Sequence, residues 1–170
     1  MRKEIETDFG KIFVEKKISE KQIEELVGYA ARDEEVQENT HDKERFATYK
    51  KAQEWLSGER TVYTMTNEKG GLLGIVWFEK LSLPDGNLTE VVDREVYSHT
   101  FAIRIYPPFR GKGLAKKFMD VCFQDSGLKK VWLSVKQSNI PGITAYKKFG
   151  FKQITTPDSE GRVVMIYGGA

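Results

Sequence analysis

Apolar positions along the chain keep two different periods, and the change from one to the other divides the sequence. From Ser19 onward, Ile23, Leu26, Val27, Ala30 and Ala31 recur at helical spacing. Ser19 with Gln22 makes a capping box ahead of them, and Ile18 is placed to staple onto Ile23. A second helix is predicted from about Thr40 to Leu56, with Phe46, Tyr49, Ala52 and Leu56 on one side and Ser57-Gly58 ending it. Ahead of both helices, Lys11 to Glu15 reads as a short strand. After Gly58 the period falls to two. Thr61 to Thr66 and Leu72 to Leu81 alternate on either side of Gly70-Gly71 and read as an antiparallel hairpin.

Leu83 to Glu95, with Pro84, Asp85, Gly86 and Asn87, is a long polar excursion. Ser98 to Tyr106 is the next strand, ended by Pro107-Pro108 because proline cannot donate to a ladder. A helix follows over about Lys112 to Gln124, with Leu114, Phe118, Val121 and Cys122 facing inward. Val131 to Val135 suits an interior strand, Asn139 to Phe149 a short helix stopped by Gly150, and Phe151 to Thr155 and Arg162 to Tyr167 two last strands. This order predicts an α/β (α+β) fold: a mixed, mostly antiparallel central sheet flanked by helices, in one domain over residues 1–170.

Composition narrows the classes. At 39% hydrophobic and 31% charged, the 170 residues are those of a globular chain rather than a disordered one. Lys and Arg exceed Asp and Glu by only two, which speaks against a dedicated nucleic-acid binder. Cys122 is the one cysteine, and only His41 and His99 could join it, so neither a disulfide nor a His/Cys metal centre is expected. No signal-like or membrane-spanning run is seen, so the expected location is the cytoplasm, with no membrane partner. Residues 1–58 carry a net charge of −3 and residues 59–170 one of +5.

The positive charge gathers in one place. Phe101 to Phe118, FAIRIYPPFRGKGLAKKF, runs strand, proline turn, two glycines, helix; from 101 to 119 it holds five basic residues and no acidic one. Glycines there let backbone N–H groups approach an anion at the positive end of a helix dipole, which suits a diphosphate. The spacing lacks the third glycine of the dinucleotide fingerprint, and the chain has no Gly-Lys-Ser/Thr. On these residues alone, a tight strand-to-helix connection with a solvated basic face is the competing reading.

Arg110-Gly111-Lys112-Gly113-Leu114-Ala115 resembles the R/Q-x-x-G-x-G/A signature of the GNAT superfamily of acyl-CoA-dependent N-acyltransferases. Trp132 to Phe151, WLSVKQSNIPGITAYKKFGF, resembles a second segment of that family through Asn139, Ala145, Tyr146, Gly150 and Phe151. The two together cover about residues 98–151, and helices placed before the strands also suit the family. The resemblance implies acetyl-CoA as co-substrate and no metal. It places the pyrophosphate on Arg110, Gly111, Lys112, Gly113, Leu114 and Ala115, the pantetheine arm along Ile103, Arg104 and Ile105, and Asn139 in the coenzyme-binding turn. One of Lys112, Lys116, Lys117 or Lys148 is a candidate for the 3′-phosphate.

The implied reaction is acetyl transfer to a primary amine by direct attack. Tyr146 is the general acid toward the leaving thiolate and the Ile105 N–H a donor to the oxyanion. For Tyr146 the alternative is an aromatic core residue beside Ile143. His99 and Glu79 are the two candidates for general base, each also readable as an ordinary strand residue, and water can carry the proton instead. The acceptor is expected to be a small-molecule or peptide amine. Asp85, Glu90, Asp93 and Glu95 of the excursion lean it toward a cationic one, with Phe46 and Tyr49 nearby; the run Asp33-Glu34-Glu35 reads as a solvated helix end. The chain is expected to be a monomer or homodimer. An acyl-CoA-binding sensor without turnover is the alternative function.

Overall fold

The computed structural model describes residues 1–169. Eight strands order β1-β2-β3-β4-β5-β6-β8-β7 in a mostly antiparallel sheet flanked by helices. The strands are β1 (Arg2–Thr7), β2 (Gly10–Glu15), β3 (Arg60–Asn67), β4 (Leu72–Lys80), β5 (His99–Ile105), β6 (Val131–Lys136), β7 (Lys152–Gln153) and β8 (Arg162–Tyr167). The helices are α1 (Glu20–Arg32), α2 (Glu34–Asn39), α3 (Asp42–Arg45), α4 (Tyr49–Leu56), α5 (Leu114–Ser126) and α6 (Ile140–Phe149). The mixed architecture expected from the pattern is the one observed.

The chain gathers into two compact units, Met1–Trp77 with Ile103–Cys122, and Phe78–Ala102 with Phe123 onward. In the first, α1 starts as its capping box predicts: the Ser19 hydroxyl accepts from the Gln22 N–H, and the Gln22 side chain accepts from the Ser19 N–H. Ile23, Leu26 and Ala30 are its buried stripe. β3 runs into β4 through a turn at Gly70, whose φ of 79° belongs to the left-handed region that glycine enters at little cost. In β4, a Cβ on Gly74 would lie 2.6 Å from the Arg104 carbonyl oxygen, so only glycine allows that approach of β5.

Two expectations change here. The helix predicted over Thr40 to Leu56 is interrupted between α3 and α4, where Thr48, with extended backbone, caps α4; α2, ended by Thr40, precedes it as a further short helix. The Thr48 hydroxyl accepts from the Lys51 N–H. Short hydroxyl side chains that bond local backbone groups favour helix ends over helix interiors. β1 was not anticipated, because RKEIET offers Ile5 as its sole aliphatic residue. It pairs with β2 as a charged outer strand, stitched by Lys11 to Glu4 at 2.8 Å, and charge suits an edge.

In the second unit, β6 pairs antiparallel with β8 from Val131↔Tyr167 to Lys136↔Arg162, while β5 meets β6 in parallel with its register at Thr100↔Trp132. Phe78, Phe101, Phe123, Phe149, Phe151 and Tyr167 form an aromatic core with ring centroids 5.0–6.2 Å apart. The excursion after β4 is less polar in structure than in sequence. Leu83 and Tyr97 are buried with Trp132, Ile154 and Ile166, and Leu88 and Val92 pack on them.

Candidate functional site

The basic segment folds as its punctuation suggests. β5 ends at Ile105, the Pro107–Pro108 bond is cis, and α5 opens at Leu114. Between them Gly111 and Gly113 have φ of 73° and 71°. A Cβ on either would meet no atom within 4 Å, so backbone conformation rather than crowding selects glycine, and the loop surface is open above both. Leu114 is buried as the first core residue of α5, so its N–H rather than its side chain is what it can offer. Ile103 and Ile105 are half-buried, as is Ala115.

Arg110 does not extend into solvent. Its guanidinium binds both oxygens of Asp33, with Nη1 at 2.9 Å from one, and Glu35 sits 2.9 Å from Nη1. Asp33 is buried and also accepts from the Val36 N–H as the N-cap of α2. The acidic run at 33–35 is therefore not solvated throughout: Glu34 and Glu35 are exposed, but buried Asp33, with Glu35 beside it, fastens α2 to the glycine loop. Of the loop's lysines, Lys116 pairs with Asp120 at 2.7 Å, whereas Lys112 and Lys117 line a cavity of about 230 Å³ shared with Glu6, Thr7, Asp8, Phe9 and Leu114. The Lys112 ammonium stands 5.1 Å from the Phe9 ring centroid.

Arg104, expected along the coenzyme arm, turns its side chain onto Asp42 of α3. Nε and Nη2 reach the two carboxylate oxygens at 2.7 and 3.1 Å, and Arg45 Nη1 adds a third bond at 2.6 Å. Burial opposes the charge on Asp42, but Arg104 and then Arg45 outweigh it and hold the carboxyl below its ordinary value. Sequence reasoning reads Asp33 as part of a solvated run and gives Asp42 no role. Each looks like one more acid in an acidic stretch, and its arginine lies 77 or 62 residues away. Nearby, Tyr29 stacks on Tyr106 with centroids 4.1 Å apart, and burial pushes the Tyr106 phenol well above its ordinary pKa.

The second unit holds the remaining candidates. Asn139 is the N-cap of α6, its side-chain oxygen accepting from the Gly142 N–H at 3.1 Å. Tyr146 lies in α6, half-buried, its ring edge-on to Phe151 at 5.7 Å. His99 is half-buried with Nδ1 3.0 Å from the Ser98 hydroxyl, and Glu79 is half-buried near the end of β4. Most carboxylates of the excursion already have partners on the protein. Asp85 pairs with Arg94, Glu90 with Lys152, and Asp93 caps the short turn at 94–96. Among the described residues no group of three His, Cys, Asp or Glu could hold a metal ion, and no helix is long and apolar enough to cross a membrane.

Residues 23–151 match the family model described as the acetyltransferase (GNAT) family. A search of curated proteins finds no significant match. Solved structures with the same fold include the GNAT domain of S. lividans PAT, 15% identical over 98% of this chain and 96% of that one, with a TM-score of 0.70. Spermidine N-acetyltransferase from Vibrio cholerae, in complex with CoA and spermine, is 15% identical over 91% and 94%, at 0.67. AAC(6')-Ib in complex with ribostamycin and coenzyme A is 20% identical over 92% of each chain, at 0.64. At these identities the likeness is one of fold.

Proposed function

Because the chain belongs to the GNAT acetyltransferase family, we propose that it transfers an acetyl group from acetyl-CoA to the nitrogen of a primary amine. The observation that carries the reading is the loop itself: two left-handed glycines with open space above them, between a strand end and the first turn of α5. That cradle fits a pyrophosphate, bound by backbone N–H groups from Gly111 to Ala115 at the positive end of the helix. Arg110 serves it by holding the loop to Asp33. Lys112 and Lys117, which line the neighbouring cavity, are the candidates for the 3′-phosphate.

Bound acetyl-CoA supplies the acyl group as a thioester. Ile103 and Ile105 hold the pantetheine arm through their backbone. The Ile105 N–H stabilises charge on the thioester oxygen while the amine nitrogen forms its bond to the carbonyl carbon. As the carbon–sulfur bond breaks, Tyr146 gives its phenolic proton to the sulfur, and the proton lost by the amine returns to the phenolate through solvent. Asn139 positions Tyr146 by starting α6. His99 and Glu79 remain the candidates that accept the amine proton on its way. Neighbouring structures that hold spermine and ribostamycin support an amine acceptor, without the acidic excursion as a reason to prefer cations.

The test is thiol release from acetyl-CoA across a broad panel of amines. Release coupled to a particular set of amines supports the transferase. Tight coenzyme binding with no release from any amine identifies a sensor instead.

A further inference from the structure

Asp42 is served by more arginine than its charge requires. Arg104 alone satisfies both carboxylate oxygens in a forked pair. Arg45 nevertheless brings a second guanidinium to the same carboxylate, donating from Nη1 alone. A guanidinium has five donor hydrogens, and among the described residues no acceptor takes those on Nε and Nη2 of Arg45, whose side chain is 28% exposed. Three rings hold that fork in place, with its central carbon 5.5–5.8 Å from the centroids of Phe46, Trp55 and Trp77. The rings brace one another edge-to-face, Phe46 to Trp55 at 5.0 Å and Trp55 to Trp77 at 4.9 Å. Burial lowers the proton affinity of Arg45 and Asp42 raises it, while Arg104 and Arg60 lower it again, so the cation sits in a field that a further anion would relieve.

Such a fork, immobilised by aromatic packing and one orienting carboxylate, is preorganised for a planar oxyanion. Its place in the chain gives it a use. Asp42 ties Arg45 to Arg104, and Arg104 stands between Ile103 and Ile105, the residues assigned above to the thioester arm. The geometry points to Arg45 as the residue that binds a carboxylate on the acceptor, making the acceptor an amino acid or another amine with a carboxylate a few bonds from its nitrogen. This inference rests on the acetyltransferase reading and deepens it.

The experiment is initial-rate thiol release from acetyl-CoA with α- and ω-amino acids, their matched amides, and diamines of equal length. The acids are expected to exceed the amides and diamines in kcat/KM by about tenfold or more, the usual scale of a charge-assisted bond. In Arg45→Gln that ratio should fall toward one, chiefly through KM, with coenzyme affinity near wild type and the protein folded, though less stable for the loss of a charged partner to buried Asp42. Arg45→Lys, which keeps charge without the fork, should restore part of it. Preference for amides or diamines, or an acid preference untouched in both variants, overturns the assignment while leaving the transferase in place. If acetyl-CoA binds and no member of the panel releases thiol, both readings fall together.

Discussion

Arg110 of the glycine loop and Asp33, the N-cap of α2, form a two-pronged ion pair in which the aspartate is almost wholly buried. The pair joins a loop whose glycines suit a phosphate to a helix 77 residues earlier in the chain. The arginine of the signature therefore acts here on the protein before it acts on any ligand.

Asp33→Asn separates the two duties of that aspartate. Asparagine still caps α2, so only the charge pair is lost and Arg110 keeps a partner in Glu35. Urea unfolding should show a loss of about 1–3 kcal/mol, less than the ~3–5 kcal/mol of breaking a fully buried pair. Coenzyme A titration should show a weaker complex from the loosened loop. Unchanged stability would mean that the pair does not hold the loop.

Gly113→Val puts a β-branched residue at φ of 71°. No protein atom lies within 4 Å of the added Cβ, so the folding cost is that of backbone strain, about 1–2 kcal/mol. Coenzyme binding should vanish in calorimetry because the side chain occupies the face the phosphates need. Arg110→Ala should weaken binding less, since the backbone N–H groups remain. A folded Gly113→Val protein with wild-type affinity would remove the pyrophosphate assignment.

Asp42 sets an acid limb for stability. Its carboxyl is depressed in the folded protein, so the stabilisation is present above the unfolded value, near 3.8, and is lost as pH falls through the lower folded value. Asp42→Asn should be less stable at neutral pH and should lose less of its stability below about pH 4. Chemical denaturation from pH 2 to 7 checks this. Parallel curves for the two proteins would show that Asp42 does not titrate with folding.

Tyr146→Phe removes a hydroxyl and keeps the ring that meets Phe151 edge-on. Thermal midpoint and coenzyme affinity should change little, while kcat and kcat/KM fall together by the ~10²–10⁴-fold of a lost general acid. A packing residue would show the opposite: normal turnover for phenylalanine, and a large stability loss only in Tyr146→Ala.

The elements that local chemistry writes were legible in the sequence. Ser19 and Gln22 mark the start of α1, Gly70 the hairpin turn, and Asn139 with Gly150 the two ends of α6. The order of helical and alternating segments pointed to the mixed sheet, and the glycines with the family segments to the loop at Gly111 and Gly113. What escaped depends on partners distant in sequence. Asp33 and Asp42 sit in an acidic stretch, and nothing local distinguishes them from Glu34 or Glu44; only folding brings Arg110 and Arg104 to them. The same holds for the excursion, where Asp85 and Glu90 look free in sequence but meet Arg94 and Lys152. The break before Thr48 is hidden in the sequence because apolar periodicity runs across it, although threonine favours helix ends.

The most direct measurement of the central claim is single-turnover transfer from acetyl-CoA carrying an isotopic label in its acetyl group. Wild type and Tyr146→Phe would be compared at saturating coenzyme with a competent amine. The account predicts that the label appears on the amine nitrogen, one acetyl for each thiol released, and that Tyr146→Phe forms the same product at least about a hundredfold more slowly. Label that stays on the coenzyme with every amine would contradict the transferase, and equal rates in the two proteins would contradict the role of Tyr146.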